Sequence, residues 1–529
     1  MKFKDFWKRA SHVNSSEPTS LDEMQPLSPS LMANIQKIKD DLGNSTDIII
    51  REIRFGRDND RVMGIMYTDG LVDRNVITEF TMKAVTLDSQ FIREEQRQHD
   101  AYHDIFHTLK EYALSIGDHG EIDNFAALYN ALLSGEAIIL IDGYERGFTA
   151  STQGWKDRGV NEPSAESVIR GPREAFSETL RTNTALIRRK IKDPNLWLET
   201  RQIGRVTKTD VAVMYVKGIV NEKVVEEVRA RLDRIDIDGI LESGYVEEFI
   251  QDSTLSPFPT VYNTERPDVI AAELLEGKVA ILVDGTPFVL VVPALFVSFL
   301  HAAEDYYHRA DVSSLIRILR YVGFLIALFG PSMYVAITTF HQEMLPTQLL
   351  ISLAAQREGI PFPAFIEAVM MEVAFEILRE AGLRMPRTIG PAVSIVGTLV
   401  IGQAAVAAGI ISAAMVIVVS TTAIASFVFP AYSLANSIRM LRFPFIILAA
   451  TFGVFGIIVG VIALVLHMCS LRSFGIPYMS PFAPLILKDQ KDAIFRLPQW
   501  LMFSRPRLIN QNNVRRGHIQ PTQKPKSRV

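Results

Sequence analysis

Three glutamates recur four residues apart within residues 361–382, PFPAFIEAVMMEVAFEILREAG. Glu372, Glu376 and Glu380 are predicted to share one face of a helix, because residues four apart are neighbours on a helix surface. Three like charges at this spacing destabilise an isolated helix, so partners, water or bound cations must compensate them. In an oligomer the glutamates would form acidic rings, which cation pathways use to attract ions. An interfacial helix whose glutamates face water explains the same pattern equally well.

The sequence contains no strong motif for metal binding or catalysis. His99, His103 and His107 have a spacing that could hold a metal on one helix face, but the strongly polar surroundings favour a solvated face. The single cysteine, Cys469, excludes a cysteine-based metal site, and the sequence has no Walker-type loop, dinucleotide fingerprint or HExxH motif. The basic residues between 170 and 190 are interleaved with glutamates, which indicates ion pairs rather than nucleic-acid contacts. We therefore predict no enzyme, metal, cofactor or nucleic-acid partner.

The glutamates are followed by an uncharged run of 51 residues between Arg387 and Arg439. This run is long enough for two membrane crossings of about 20 residues each. It shows no polar face, unlike the surface helix of a soluble protein. A break at Ala408-Gly409 predicts a helical hairpin of Ile389–Ala408 and Ile410–Pro430.

The first arm of this hairpin contains residues that could narrow an ion pathway. Val393, Val396 and Val400 could form a hydrophobic gate that closes by dewetting, and Gln403 follows them at the end of the constriction. Close packing of small residues such as Gly397 would explain the same segment without a pore.

Five apolar stretches are predicted to build the membrane part. Pro287–Leu300 has the length of a re-entrant segment, and the four full spans are Tyr321–Gln342, the two hairpin arms and Phe445–Leu471. Residues 493–529 contain eight Lys/Arg and no acidic residue, which predicts a cytoplasmic C-terminal tail. An even number of spans then leaves the N-terminal half in the cytoplasm and places the loop with Arg439 and Arg442 outside.

The N-terminal half contains an internal repeat. MYTDGLV at residues 66–72 recurs as MYVKGIV at 214–220, and LLSG-E-AIILIDG at 132–143 recurs as LLEG-K-VAILVDG at 274–285. The offsets of 148 and 142 residues predict two copies of one α/β unit. The Asp-Gly pairs at 142–143 and 284–285 predict β-hairpins. A long helix from Pro172 to Lys192 is predicted between the copies.

The predicted fold is therefore an α+β two-lobed cytoplasmic domain with an internal α/β repeat, followed by an all-α polytopic membrane domain. Its segments are a flexible arm at 1–45, lobe 1 at 46–158, a linker helix at 159–197, lobe 2 at 198–286, membrane helices at 287–475 and a basic cytoplasmic tail at 476–529. The last strand of lobe 2 runs directly into the membrane part, so Asp284, Gly285, Pro287 and Pro293 form the predicted coupling region.

Several long motifs resemble the A subunit of the GerA-type nutrient germinant receptors of endospore-forming bacteria. They are RGPREAF at 170–176, TERPD at 264–268, VDGTPF at 283–288, EDYY at 304–307, FHQEMLP at 340–346 and residues 384–397, and the resemblance covers roughly residues 45–485.

The resemblance implies an oligomeric ion-conducting element in the inner spore membrane. It also implies a transporter-like B subunit and a lipoprotein C subunit as partners, together with membrane lipids. Our leading hypothesis is a signal-gated channel subunit for monovalent cations. The alternatives are a solute transporter, although no duplicated broken-helix halves are visible, and a non-conducting scaffold.

Overall fold

The computed structural model describes residues 25–55, 61–79, 81–82, 120–154, 163, 166, 168–384, 403–510 and 513–516. The chain divides into two compact units. The first contains Met1–Val160 and Thr179–Arg201, and the second contains Asn161–Glu178 and Gln202–Val529. The predicted histidine cluster at 99–107 lies outside the described residues.

The first unit is built on an antiparallel sheet with the strand order β1-β2-β4-β5-β3. Its strands are β1 (Ile48–Phe55), β2 (Arg61–Thr68), β3 (Glu121–Ile122), β4 (Glu136–Ile141) and β5 (Gly147–Ser151). Its helices are α1 (Leu31–Asp41), α2 (Phe125–Leu133) and α3 (Leu180–Lys190). Successive strand residues face opposite sides, so Ile65 and Ile139 join one buried cluster while Met66 and Ile138 join the other.

Helix α1 lies in the segment predicted to be a flexible arm. Its described part is ordered because Ser30 caps the helix, accepting a hydrogen bond from the Ala33 amide. Leu31, Ile35 and Ile38 are then buried in the cluster that contains Met66. The predicted flexible arm at 1–45 therefore ends in an amphipathic helix that packs on the first sheet.

Helix α3 is shorter than predicted, since it begins at Leu180 rather than Pro172. The backbone of the preceding residues is hydrogen-bonded elsewhere. The carbonyl of Pro172 accepts from Arg266 at 3.0 Å, and the Phe176 amide donates to the Glu265 carbonyl at 2.8 Å. These residues are therefore not available for helical hydrogen bonds.

The second sheet has the order β6-β7-β9-β10-β8, which repeats the order of the first. Its strands are β6 (Leu196–Ile203), β7 (Thr209–Val216), β8 (Tyr262–Thr264), β9 (Val279–Val283) and β10 (Val289–Val292), with helices α4 (Glu222–Asp233), α5 (Ser243–Ile250) and α6 (Pro267–Leu275). The chain passes from the first unit to the second within β6. The repeat in sequence is thus also a repeat in strand order.

Both predicted Asp-Gly hairpins are confirmed. Gly143 (φ 92°) connects β4 to β5, and Gly285 (φ 91°) connects β9 to β10. The prediction of a re-entrant membrane segment at Pro287–Leu300 is wrong. This segment contains the buried strand β10 and a buried 3₁₀ turn, Phe296–Leu300, because a strand covered on both faces is as apolar as a short membrane segment.

The remaining helices are α7 (Glu304–Tyr307), α8 (Ala310–Phe340), α9 (Thr347–Arg357), α10 (Ala364–Arg384), α11 (Ala405–Ala407), α12 (Ala413–Ser426) and α13 (Tyr432–Ser470). Among the described residues, α8 and α13 are long and apolar enough to cross a membrane, with mean hydropathies of 1.8 and 2.7. Helix α12 has 14 residues, fewer than predicted for Ile410–Pro430. Most of the other hairpin arm lies outside the described residues.

Helix α13 reverses direction at Gly453. This glycine has φ 62° and ψ −144°, a conformation that interrupts the helix. A Cβ added at Gly460 would lie 2.7 Å from the Phe445 ring and 2.9 Å from Leu448. In a straight helix these residues would be about 18–22 Å apart along the axis. The prediction of one span at Phe445–Leu471 is therefore wrong. This segment contains the end of the first arm and the whole of the second arm of a tight helical hairpin.

We expect Gly453→Ala to destabilise this hairpin strongly. The backbone conformation alone costs alanine about 1–3 kcal/mol, and the new Cβ would lie 2.7 Å from the His341 ring and 3.0 Å from Phe340. The detergent-purified protein should unfold at a lower temperature. Gly382→Ala is the matched control, because nothing lies within 4 Å of its added Cβ. Equal unfolding temperatures for the two variants would contradict the reversal at Gly453.

Candidate functional site

The helix predicted for the glutamate stripe is confirmed as α10. The helix places the three side chains in different surroundings. Glu372 is fully buried, the Glu376 side chain is 30% exposed and that of Glu380 is 60% exposed. The stripe therefore runs from the interior of the helical region to its surface.

Glu372 forms a buried ion pair with Arg442 of α13, and both side chains are 1% exposed. Arg442 also donates from Nε to the Ala327 carbonyl of α8 at 2.8 Å. One guanidinium thus joins three helices. An unpaired buried charge strongly destabilises the folded state. Replacing either Glu372 or Arg442 alone should therefore lower the free energy of unfolding by a large amount.

The other two stripe glutamates are also paired with arginines. Glu376 lies 3.0 Å from Arg439 of α13 and 3.5 Å from Arg379. Glu380 lies 2.6 Å from Arg384, one turn further along α10. We call the pairs Glu372–Arg442, Glu376–Arg439 and Glu380–Arg384 the ladder. The compensation that the like charges require therefore comes from arginines of the same chain.

The position of Arg439 and Arg442 corrects the predicted loop between the last two spans. These residues were expected in a loop outside the membrane, but both lie within α13 and are largely buried. Charged residues within an apolar helix normally face the interior of a bundle and pair with one another. The ladder satisfies that requirement for both arginines.

Sequence reasoning missed a fourth buried glutamate on α10. Glu367 is fully buried and accepts a hydrogen bond from the Ser412 amide, at the start of α12, at 2.9 Å. Its other oxygen lies 3.7 Å from Arg357 of α9. Glu367 precedes Glu372 by five positions, so the four-residue spacing did not include it. Its presence in a largely apolar helix was the available signal.

The predicted constriction is only partly described. Gln403 is exposed and lies just before α11. Val393, Val396 and Val400 lie outside the described residues. The structure therefore brings no constriction together within the described part of the chain.

The predicted coupling residues lie at and after the hairpin between β9 and β10. The Asp284 amide donates to the Asp210 carbonyl at 3.0 Å, and the Gly285 amide donates to the Glu178 carbonyl at 2.8 Å. Pro287 precedes β10 and Pro293 follows it, leading into the 3₁₀ turn. These residues belong to the sheet of the second unit, and a buried polar network begins beyond them.

Three of the motifs that carry the family resemblance converge in this network. Arg266, which is 2% exposed, donates to the Pro172 carbonyl and forms an ion pair with Asp268 at 2.8 Å. The Tyr307 hydroxyl also donates to Asp268, and the Ile169 amide donates to Glu304. The network joins RGPREAF, TERPD and EDYY, which are far apart in sequence.

Asp305 extends the network to the base of α8. Its carboxylate, which is 2% exposed, accepts from Arg317 at 3.0 Å, from Arg320 at 2.6 Å and from the Ala302 amide at 3.2 Å. Arg317 additionally pairs with Asp492 at 2.8 Å. We call Asp305, Arg317, Arg320 and Asp492 the base cluster. It links the EDYY motif, α8 and the C-terminal segment.

The C-terminal segment is packed rather than free as far as it is described. Its short strands are β11 (Arg472–Ser473) and β12 (Ile476–Pro477). Tyr478 is fully buried, and Ile509 is 1% exposed in a cluster with Leu295. The prediction of a basic tail at 476–529 rests on the charge of residues 493–529, and it does not account for the apolar residues that pack between them.

Glu166 makes the network sensitive to pH. Burial raises the pKa of Glu166 to about 7, although a hydrogen bond from Thr264 and the charge of Arg266 oppose the shift. The folded pKa exceeds the unfolded value, so the folded state binds the proton more tightly. The stabilisation from this proton is therefore present below about pH 4.5 and is lost as the pH rises to about 7.

We expect the free energy of unfolding to fall by about 1–3 kcal/mol across this pH window because of Glu166. Glu166→Gln should remove that part of the pH dependence. The measurement is chemical unfolding of both proteins at several pH values, since their difference isolates Glu166 from other titrating groups. Parallel stability curves for the two proteins would contradict the raised pKa.

Comparison with known proteins agrees with the motifs. Residues 36–508 match the Bacillus/Clostridium GerA spore germination protein family. Spore germination protein KA of Bacillus subtilis is 52% identical over 93% of this chain and 89% of its own length. The uncharacterized membrane protein YfkQ of the same organism is 45% identical over 93% of this chain and 94% of its own length.

A solved structure is also similar in sequence. It is the crystal structure of the N-terminal domain of the A subunit of the Bacillus megaterium spore germinant receptor GerK3. It is 44% identical and covers 52% of this chain and 98% of its own, with a TM-score of 0.41.

Proposed function

The chain belongs to the GerA family of spore germination proteins, and from this premise we propose that it is the ion-conducting A subunit of a nutrient germinant receptor. In this proposal several copies assemble in the inner membrane of the spore, with the N-terminal domain in the cytoplasm. A transporter-like B subunit and a lipoprotein C subunit are its partners. Nutrient binding shifts a closed–open equilibrium and releases monovalent cations.

The ladder is the observation that carries this proposal. Two arginines within the apolar helix α13 are matched by two glutamates of α10, an arrangement typical of polar pathways within helical membrane bundles. Glu372 is fully buried and fixes α10 against α13. Glu376 and Glu380 retain exposed surface, so they are the stripe residues best able to attract a cation.

The proposed pathway combines the stripe with the constriction inferred from the sequence. Glu372, Glu376 and Glu380 line or support its wide part, and Val393, Val396, Val400 and Gln403 form its narrow part. Exposed carboxylates concentrate cations, while a ring of apolar side chains stops conduction by excluding water.

Coupling to the nutrient signal is proposed to follow the buried network. It begins at Asp284, Gly285, Pro287 and Pro293 and continues through the contacts that join the RGPREAF, TERPD and EDYY motifs to the base cluster. Buried polar networks of this kind have discrete arrangements rather than a continuous range, so they transmit a shift in population rather than a small elastic strain.

A non-conducting scaffold is the second candidate, and one observation favours it. Each stripe glutamate already has an arginine partner. Ion pairs that only hold helices together would have the same geometry as these pairs. In the scaffold interpretation the ladder only holds the helices together while a partner subunit conducts.

The two functions differ in the effect of neutralising the exposed glutamates. We expect Glu376→Gln combined with Glu380→Gln to slow potassium release from spores that carry this chain and its partners, after addition of a nutrient mixture. Asp311→Asn is the control, since this exposed aspartate lies at the start of α8 away from the stripe. Normal potassium release with a correctly assembled receptor would favour the scaffold.

A further inference from the structure

An open cleft of about 670 Å³ lies between the end of α8 and helix α9. Its walls are mainly apolar and include Leu345, Leu350, Ile351, Leu353, Ile360 and Phe362. This volume is typical of clefts that hold small organic ligands. No function proposed above uses this cleft.

Two adjacent residues of opposite charge, Arg357 and Glu358, also line the cleft. The Arg357 side chain is 24% exposed, and its nearest ionic partner, Glu367, lies 3.7 Å away. Among the described residues neither Arg357 nor Glu358 forms a side-chain hydrogen bond. This partly exposed guanidinium has five donors, so a ligand group within the cleft can accept hydrogen bonds from it.

The chemistry of the lining selects a zwitterionic amphiphile. A phosphate suits the planar donor set of Arg357, an ammonium group suits the Glu358 carboxylate, and acyl chains suit the apolar walls. The net charge of Arg357, Glu358 and Glu367 is negative, which disfavours a purely anionic ligand.

Exposed apolar surface indicates that the source of this ligand is a membrane. Helix α9 has no buried residue, and Leu349 and Ile351 are 47% and 64% exposed. The helix begins seven residues after the end of α8, one of the two helices able to cross a membrane. Apolar side chains exposed this close to a helix able to cross a membrane can reach the layer of lipid headgroups.

We propose that the cleft binds an aminophospholipid, with its phosphate on Arg357 and its ammonium group on Glu358. This inference rests on the membrane placement in the proposed function. The ammonium group matters because it donates hydrogen bonds, which a choline headgroup cannot do. The site should therefore prefer phosphatidylethanolamine to phosphatidylcholine.

The test is lipid titration of the detergent-purified full chain, followed by native mass spectrometry. Phosphatidylethanolamine should bind about tenfold more tightly than phosphatidylcholine, as expected for one charge-assisted hydrogen bond. Glu358→Gln should abolish this preference, and Arg357→Gln should weaken both lipids. Glu380→Gln and Arg384→Gln are matched controls, because they change the same residue types in an exposed pair on α10.

Several outcomes would overturn the proposal. One is an equal affinity for the two lipids in the unmodified chain. Another is an unchanged preference in Glu358→Gln, provided that the variant unfolds at the normal temperature. Saturable binding of free leucine, which has both charges but no acyl chains, would show that a soluble zwitterion is the ligand. Flotation with phosphatidylcholine vesicles tests membrane placement separately, so failure of the proposed function can be distinguished from failure of this site.

Discussion

Replacing Glu372 by glutamine should destabilise the protein by about 3–5 kcal/mol, the usual cost of breaking a buried ion pair by removing one partner. The variant keeps the shape of the side chain but leaves the Arg442 charge uncompensated in a site that is 1% exposed. Arg442 holds the Ala327 carbonyl as well, so contacts among three helices weaken together. Chemical unfolding of the detergent-purified protein measures the loss.

The control is Glu380→Gln, at the exposed end of the same stripe. Its pair with Arg384 is exposed to solvent, and exposed pairs contribute about 0–1 kcal/mol. The double variant Glu372→Gln/Arg442→Gln should recover part of the loss, because no unpaired charge remains. Equal stability losses at positions 372 and 380 would show that the buried pair does not hold α10 against α13.

Replacing Asp305 by asparagine should have a similarly large effect at the base of α8. The carboxylate compensates Arg317 and Arg320 together, and both arginines are largely buried. We expect a loss of about 3–5 kcal/mol, measured by chemical unfolding. We also expect slower nutrient-triggered potassium release in spores, since the proposed coupling runs through this cluster.

Asp311→Asn is the control for Asp305→Asn, because it removes the same charge from a nearby exposed position. Asp311 lies six residues from Asp305, but it is exposed and pairs only with the exposed Arg309 among the described residues. It should change neither stability nor potassium release. If Asp305→Asn is as stable as the unmodified protein, then the base cluster is not a structural junction.

Local patterns in the sequence were sufficient for several elements of the fold. The Asp-Gly pairs predicted both hairpins, because the positive φ that each connection requires is encoded by a glycine within it. The spacing of Glu372, Glu376 and Glu380 also predicted α10. The equal strand orders of the two sheets agree with the repeat found in the sequence.

Contacts distant in sequence could not be predicted in this way. Arg439 and Arg442 are separated by 63 and 70 residues from their glutamate partners, and no local pattern joins them. The reversal at Gly453 is hidden for a similar reason, since a glycine in an apolar run is also expected in a straight packed helix. Strand β10 resembled a membrane segment because burial in a sheet and burial in lipid select the same residues.

The most direct test of the ion-conducting role is potassium flux from liposomes that contain the purified chain. The comparison is between the unmodified protein and Val396→Ala, which shortens a side chain of the proposed hydrophobic gate. We predict that the variant leaks potassium while the unmodified protein stays closed until its partners and a nutrient are present. If neither protein conducts, even with both partners and a nutrient, the chain is not the ion-conducting element.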